Sequence, residues 1–196
     1  MITRKVRLDR KTKETAISLR LDMDQPADEL RIETTVPFFD HLLQSMTFHG
    51  NFDLSLQAKG DTEVDPHHLV EDTGLVLGDA LFQILEKHTG IKRFGHTVIP
   101  MDEAMAETTV DVCGRPTLFY SACFPQNWAG DFDLALIKEF LTALTGKAKF
   151  SLHAEVRRGE NSHHMAECLF KALGKTIKQA YTKDEGIPST KGTLLA

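Results

Sequence analysis

His67-His68-Leu69-Val70-Glu71-Asp72 is echoed ninety-six residues later by His163-His164-Met165-Ala166-Glu167, and the same offset relates Leu77-Gly78 to Leu173-Gly174. Five identities at one fixed offset, two of them adjacent histidine pairs, mark an internal duplication. An α-helix turns about 100° per residue, so His67 and His68 diverge by that angle while Glu71 stays within i+3/i+4 reach of both. Two imidazoles so splayed suit two different ions better than one. A single HHxxE copy offers three donors, too few for a first-row metal that prefers about six positions. Two facing copies supply twice as many and suggest a pair of ions. Solvated, histidine-bearing helix starts are the plainer reading of either copy alone, and the repetition argues against it for both.

Outward from these motifs the chain divides into matching series of elements. Alternating apolar residues predict strands at Lys5–Asp9, Thr15–Asp22, Leu30–Thr34 and around Phe52, Leu54 and Leu56. Phe38, Phe39, Leu42, Leu43 and Met46 mark the apolar face of a helix opened by Pro37, and a second helix starts near His67. The order strand-strand-strand-helix-strand-helix then recurs. Strands are predicted at His96–Pro100, Glu107–Cys113 and Thr117–Cys123, a helix over Asp131–Thr145, a strand at Phe150–Val156 and a last helix from His163. The fold class that follows is α+β, an internally duplicated domain of two halves, residues 1–92 and 93–196. Each half is a four-stranded sheet with helices on one face, and the second carries the C-terminal tail.

Aligning Phe52–Ala58 on Phe150–Val156 gives an offset of ninety-eight, which pairs His41 with Glu139 in the preceding helices. Both are polar among apolar neighbours and both types ligate metals. The candidate donor set is then His41, His67, His68, Glu71, Glu139, His163, His164 and Glu167. Nitrogen and oxygen donors without thiolate favour Mn²⁺, Fe²⁺, Ni²⁺ or Zn²⁺ and exclude a cysteine-type structural zinc site. Shared between two ions, the set leaves positions open for substrate and water, as a catalytic site requires. Dinuclear hydrolysis, lyase and redox chemistry all remain open from these donors alone.

Composition bounds the function classes. The chain has 196 residues, 41% hydrophobic and 26% charged, with a net charge of −5. These are values of an ordinary globular domain. Without a basic block, nucleic acid and anionic membranes are poor partners. No apolar run approaches a membrane span, and the N-terminus lacks a signal-peptide core. Three cysteines without CxxC spacing read as reduced thiols, which points to a cytoplasmic protein.

A family resemblance adds to this reading. It is carried by Arg10-Lys11-Thr12-Lys13-Glu14-Thr15, by Phe38-Phe39-Asp40-His41-Leu42-Leu43 with His49-Gly50, and by the two HHxxE motifs. Arg93-Phe94-Gly95, Asp111-Val112-Cys113-Gly114-Arg115-Pro116 and Ser189-Thr190-Lys191-Gly192 complete it. Together, in this order and over nearly the whole chain, these stretches resemble the imidazoleglycerol-phosphate dehydratase family. The resemblance implies a hydro-lyase of histidine biosynthesis that converts imidazole glycerol phosphate to imidazole acetol phosphate. It implies two Mn²⁺ ions per site and a homo-oligomer of twenty-four subunits with sites at subunit contacts, in the monofunctional form. A metal-bound imidazolate, made accessible because cations lower the ring N–H pKa, would expel the neighbouring hydroxyl. Glu14 would move protons at the hydroxyl-bearing carbons, with Glu71 and Glu167 completing the catalytic set. Arg93, Arg115, Lys171, Ser189 and Lys191 would grip the phosphate. Many relatives have His where this chain has Glu139, which would either give one ion a more anionic shell or leave Glu139 outside the ligand set. The competing readings are a different dinuclear metallohydrolase and a non-enzymatic metal-binding assembly. The basic set argues against the assembly, and no metal-bridging carboxylate stands out for the hydrolase.

Overall fold

The computed structural model describes residues 4–87, 90–186, 189–190 and 192–194. Two four-stranded sheets share one topology. The first comprises β1 (Lys5–Lys11), β2 (Thr15–Asp22), β3 (Arg31–Glu33) and β4 (Asp53–Gly60), in the order β1-β2-β4-β3. The second comprises β5 (Phe94–Met101), β6 (Ala104–Asp111), β7 (Thr117–Ser121) and β10 (Ser151–Arg158), in the order β5-β6-β10-β7. In each sheet three strands run antiparallel and the third strand in sequence pairs parallel at the edge. The helices are α1 (Pro37–Gly50), α2 (His67–Lys87), α3 (Leu136–Ala148) and α4 (Ser162–Ala180). The predicted α+β duplication is therefore what the chain forms.

Equivalent positions use equivalent local chemistry. α1 and α3 end on Asn51 and Lys149, both left-handed and ninety-eight residues apart. α2 and α4 begin beneath side-chain acceptors ninety-six residues apart. Asp65 accepts from the His67 N–H at 2.7 Å, and Asn161 accepts from the His163 and His164 N–H groups at 2.9 and 3.5 Å. Such acceptors satisfy the donors that a helix start leaves free. They fix each histidine pair in the first turn.

The helices do not stay within their own repeat. α2 packs on the first sheet and against α3, while α4 packs on the second sheet and against α1. The duplicated glycines permit these crossings. A Cβ on Gly78 would lie 2.5 Å from the Leu144 carbonyl oxygen, and one on Gly174 would lie 2.0 Å from that of Met46. Met46 and Leu144 are themselves ninety-eight apart, so the repeat preserves both close approaches. The buried residues of both repeats form one continuous core, including Leu19, Phe39, Leu42, Leu81, Phe140, Leu152 and Phe170. Each fully buried large side chain contributes roughly 1.5–3 kcal/mol, as an upper bound.

Predicted strand ends shift by up to three residues, and the largest boundary error is at a helix start. The helix predicted from Asp131 starts at Leu136, and a small hairpin of β8 (Trp128–Ala129) and β9 (Phe132–Asp133) precedes it. Phe132 and Asp133 are instead extended, paired with Ala129 and Trp128 across a turn at Gly130, whose φ is +57°.

Candidate metal centre

The crossing of α1 and α4 brings His41, His163 and Glu167 together. Their donor atoms lie within 4.8 Å of one another, and this is the one such group among the described residues. His41 Nε2 stands 3.1 Å from Glu167 Oε2, and His163 Nε2 stands 3.3 Å from the same oxygen. The two imidazole rings are 5.2 Å apart, with the Phe38 ring 5.0 Å from that of His163. His41 Nε2 is buried, and its one close partner is the Glu167 carboxylate, met without a well-aligned hydrogen bond. A buried nitrogen whose hydrogen-bonding capacity is so poorly met is costly unless something else binds it. The set of two imidazoles and a carboxylate fits a divalent first-row cation.

Glu167 is the anchor of the cluster. Burial would push its carboxyl up, but the hydrogen bond from Lys171 and the approach of His41 outweigh it and hold the pKa at about 2. Lys171 Nζ lies 2.9 Å and Ser45 Oγ 3.2 Å from Glu167 Oε1, leaving Oε2 turned toward the histidines. The carboxylate is thus a permanent anion aimed at the donor group.

The α2 copy is more open. His67 Nε2 is 3.6 Å from Glu71 Oε2, and both side chains are nearly half exposed. His68 Nδ1 lies 3.1 Å from Asp61 Oδ2, and His164 Nδ1 lies 2.9 Å from Glu103 Oε2. The hydrogen bond to Asp61 is the main cause that raises the His68 pKa, with Glu14 close enough to add to it. Glu103 does the same for His164. That contact and backbone N–H donors hold Glu103 itself at about 2.

The expected facing of the two motifs is not met within one chain, because α2 crosses α3 and α4 crosses α1. Glu139, half-buried on α3, lines a separate hollow with Tyr120, Phe124 and Trp128. Glu14 sits exposed in the turn between β1 and β2, near His68. Its turn is fastened to α2 by Arg10 and Thr15, which both donate to Asp72. Of the expected phosphate residues, Arg93, Arg115 and Ser189 line one hollow beside Cys113. Arg93 also pairs with Asp111 at 2.7 Å. Lys171 lies apart from that hollow, on Glu167, and Lys191 falls outside the described residues. Sequence reasoning missed Ser45, Asp61, Asp72 and Glu103. Only Asp72, inside the first quoted stretch, carried any signal.

This geometry defines a duplicated α+β protein with a three-donor centre suited to a metal ion at a helix crossing. Residues 34–177 match the sequence profile of the family described as imidazoleglycerol-phosphate dehydratase. The chain is 47% identical, over 97% of its length and 100% of the relative's, to the imidazoleglycerol-phosphate dehydratase of Bacillus subtilis. It is 45% identical, over 99% of its length and 100% of the relative's, to that of Halorhodospira halophila. The crystal structure of the Staphylococcus aureus dehydratase superposes with a TM-score of 0.81 and 33% identity, covering 91% of this chain and 99% of that one. The Pyrococcus furiosus structure superposes with a TM-score of 0.83 and 32% identity, covering 95% and 99%. The chain belongs to the imidazoleglycerol-phosphate dehydratase family. Among the described residues no helix is long and apolar enough to cross a membrane.

Proposed function

We propose that this chain removes water from imidazole glycerol phosphate to give imidazole acetol phosphate, as a Mn²⁺-dependent hydro-lyase of histidine biosynthesis. The observation that supports the metal requirement is the convergence of His41, His163 and Glu167 donor atoms within 4.8 Å of one another, with the buried Nε2 of His41 facing the Glu167 carboxylate. His41, His163 and Glu167 hold one donor group, and His67, His68, Glu71, Glu139 and His164 supply the rest of a two-ion set. Divalent cations held by these residues would supply the Lewis acidity that lowers the N–H pKa of the substrate's imidazole. Glu14, on a turn pinned to α2 through Asp72, takes and returns protons at the hydroxyl-bearing carbons. Arg93, Arg115, Ser189 and Lys191 receive the phosphate, with Lys171 keeping Glu167 ionised beside the ring.

A second chain completes each site. The α2 motif opens to solvent without a third donor of its own chain among the described residues, and Phe94, Phe119 and Trp128 are large exposed side chains. A homo-oligomer of twenty-four subunits in the cytoplasm is the form we assign, with residues 1–92 and 93–196 as its repeat units. The deciding experiment strips the protein with EDTA and restores Mn²⁺ in the presence of imidazole glycerol phosphate. Ketone product that disappears on stripping and returns with Mn²⁺ is the expected result. A folded, Mn²⁺-loaded protein that forms no product refutes the reading.

A further inference from the structure

Sheet register relates two carboxylates that sequence offsets miss. Ala58 of β4 pairs with Ile17 of β2, and Val156 of β10 pairs with Ala106 of β6. Ala58 and Val156 are equivalent at the offset of ninety-eight, so Ile17 is equivalent to Ala106. Three residues back along each strand stand Glu14 and Glu103, each immediately before its hairpin's second strand. The two equivalent carboxylates are used differently. Glu103 is tied down, with Oε2 on His164 Nδ1 at 2.9 Å and Oε1 on the N–H groups of Glu160 and Asn161 at 3.1 and 2.8 Å. Glu14 makes no side-chain hydrogen bond among the described residues. The partner of His68 Nδ1 is instead Asp61, just beyond β4, at 3.1 Å. The Asp61 N–H also donates to the Glu14 carbonyl at 3.1 Å.

We infer that Asp61 and Glu103 are positioning residues for the ligand histidines His68 and His164, and that Asp61 has relieved Glu14 of this task. A neutral imidazole carries one N–H and one lone pair. A carboxylate that accepts a hydrogen bond from Nδ1–H therefore fixes the lone pair on Nε2 and sets the plane of the ring. The backbone bond from Asp61 holds the Glu14 turn against the same histidine, so ring and turn are set by one residue. This inference rests on the metal-site reading above.

The test compares Mn²⁺ binding to the full-length protein and to its variants, by the electron paramagnetic resonance signal of free Mn²⁺. Asp61→Ala and Glu103→Ala each weaken binding by roughly 10–100-fold, the usual effect of losing a carboxylate behind a ligating histidine. Asp61→Asn and Glu103→Gln keep an acceptor oxygen and give roughly 3–10-fold. The thermal midpoint in EDTA stays at the parent value for the amide variants, which a merely structural role would not allow. If the alanine variants do not fold, the amide variants decide by the same threefold threshold. Parent-like affinity in the folded variants overturns the inference and leaves the proposed function standing. A parent that binds no Mn²⁺ overturns both.

Discussion

The two copies of HHxxE begin from the same motif and end in different surroundings. In α4, Glu167 is gripped by Lys171 and Ser45 and faced by His41. In α2 the positions equivalent to Lys171 and Ser45 are Leu75 and Ala143, and the position equivalent to His41 is Glu139. Among the described residues, Glu71 accordingly has only His67 as an ion-pair partner, at 3.6 Å. Asp72, by contrast, holds Arg10 and Thr15, whereas its equivalent Cys168 is a buried thiol raised to about 11 by burial. Duplication thus kept the donors and let their supports diverge. One copy is preassembled within the chain, and the other is fastened to the turn that bears Glu14.

The largest effect is expected from the donors themselves. His163→Ala and His67→Ala should each lower kcat/KM by more than about 100-fold, the upper end of losses seen for mere supports of ligands. Steady-state assays at saturating Mn²⁺ check this, and near-parental activity in His67→Ala would make the open copy dispensable. Next come the crossings. Gly174→Ala and Gly78→Ala should each cost about 1–3 kcal/mol of stability through overpacking, with Gly174→Ala the worse because its Cβ would sit nearer a carbonyl. Thermal unfolding decides, and the reverse order would break the equivalence of the two contacts. Ser45→Ala should lose about 1 kcal/mol or less, one hydrogen bond to a carboxylate that keeps its other partners.

The smallest effect depends on pH. Glu167 is held at about 2 against an ordinary 4.5. A depressed carboxyl stabilises the fold above its unfolded value, and that contribution is lost as pH falls through the folded value. In metal-free protein, Lys171→Met should lower the thermal midpoint most above pH 4.5, with the gap to the parent closing toward pH 2. A gap independent of pH would show that Lys171 acts by packing and not by charge. Leu75→Lys, which installs the missing cation beside Glu71, should bring the open copy nearer the behaviour of the closed one.

Much of this was legible in the sequence because helix and strand periodicities survive duplication. The offset of ninety-six carried the histidine pairs, and ninety-eight carried His41 onto Glu139. The two offsets differ because the loops between elements differ in length. The same cause hid Glu103, which lies eighty-nine residues from Glu14 and is matched only through hydrogen-bonded register. Asp61 and Ser45 gave no signal, since a carboxylate after a strand or a serine on a helix reads as surface until its partner is placed. The candidate phosphate residues were expected only by resemblance. The hollow formed by Arg93, Arg115 and Ser189 depends on how the chain's end returns to the second sheet.

The exchanged helix crossings also govern how the molecule comes apart. α1 leans on α4 and α3 on α2, so cutting the chain between repeats would strip each half of a helix's covering and expose leucines and phenylalanines that are fully buried in the whole. Neither half holds a closed interior to melt on its own. Thermal or denaturant unfolding should then run as a single cooperative event with no half-folded species. Contacts between the first repeat and the second span long stretches of chain, so folding should be slower than for a protein of local contacts. A nascent chain that has delivered only its first repeat must wait for α3 and α4 before α2 and α1 are covered.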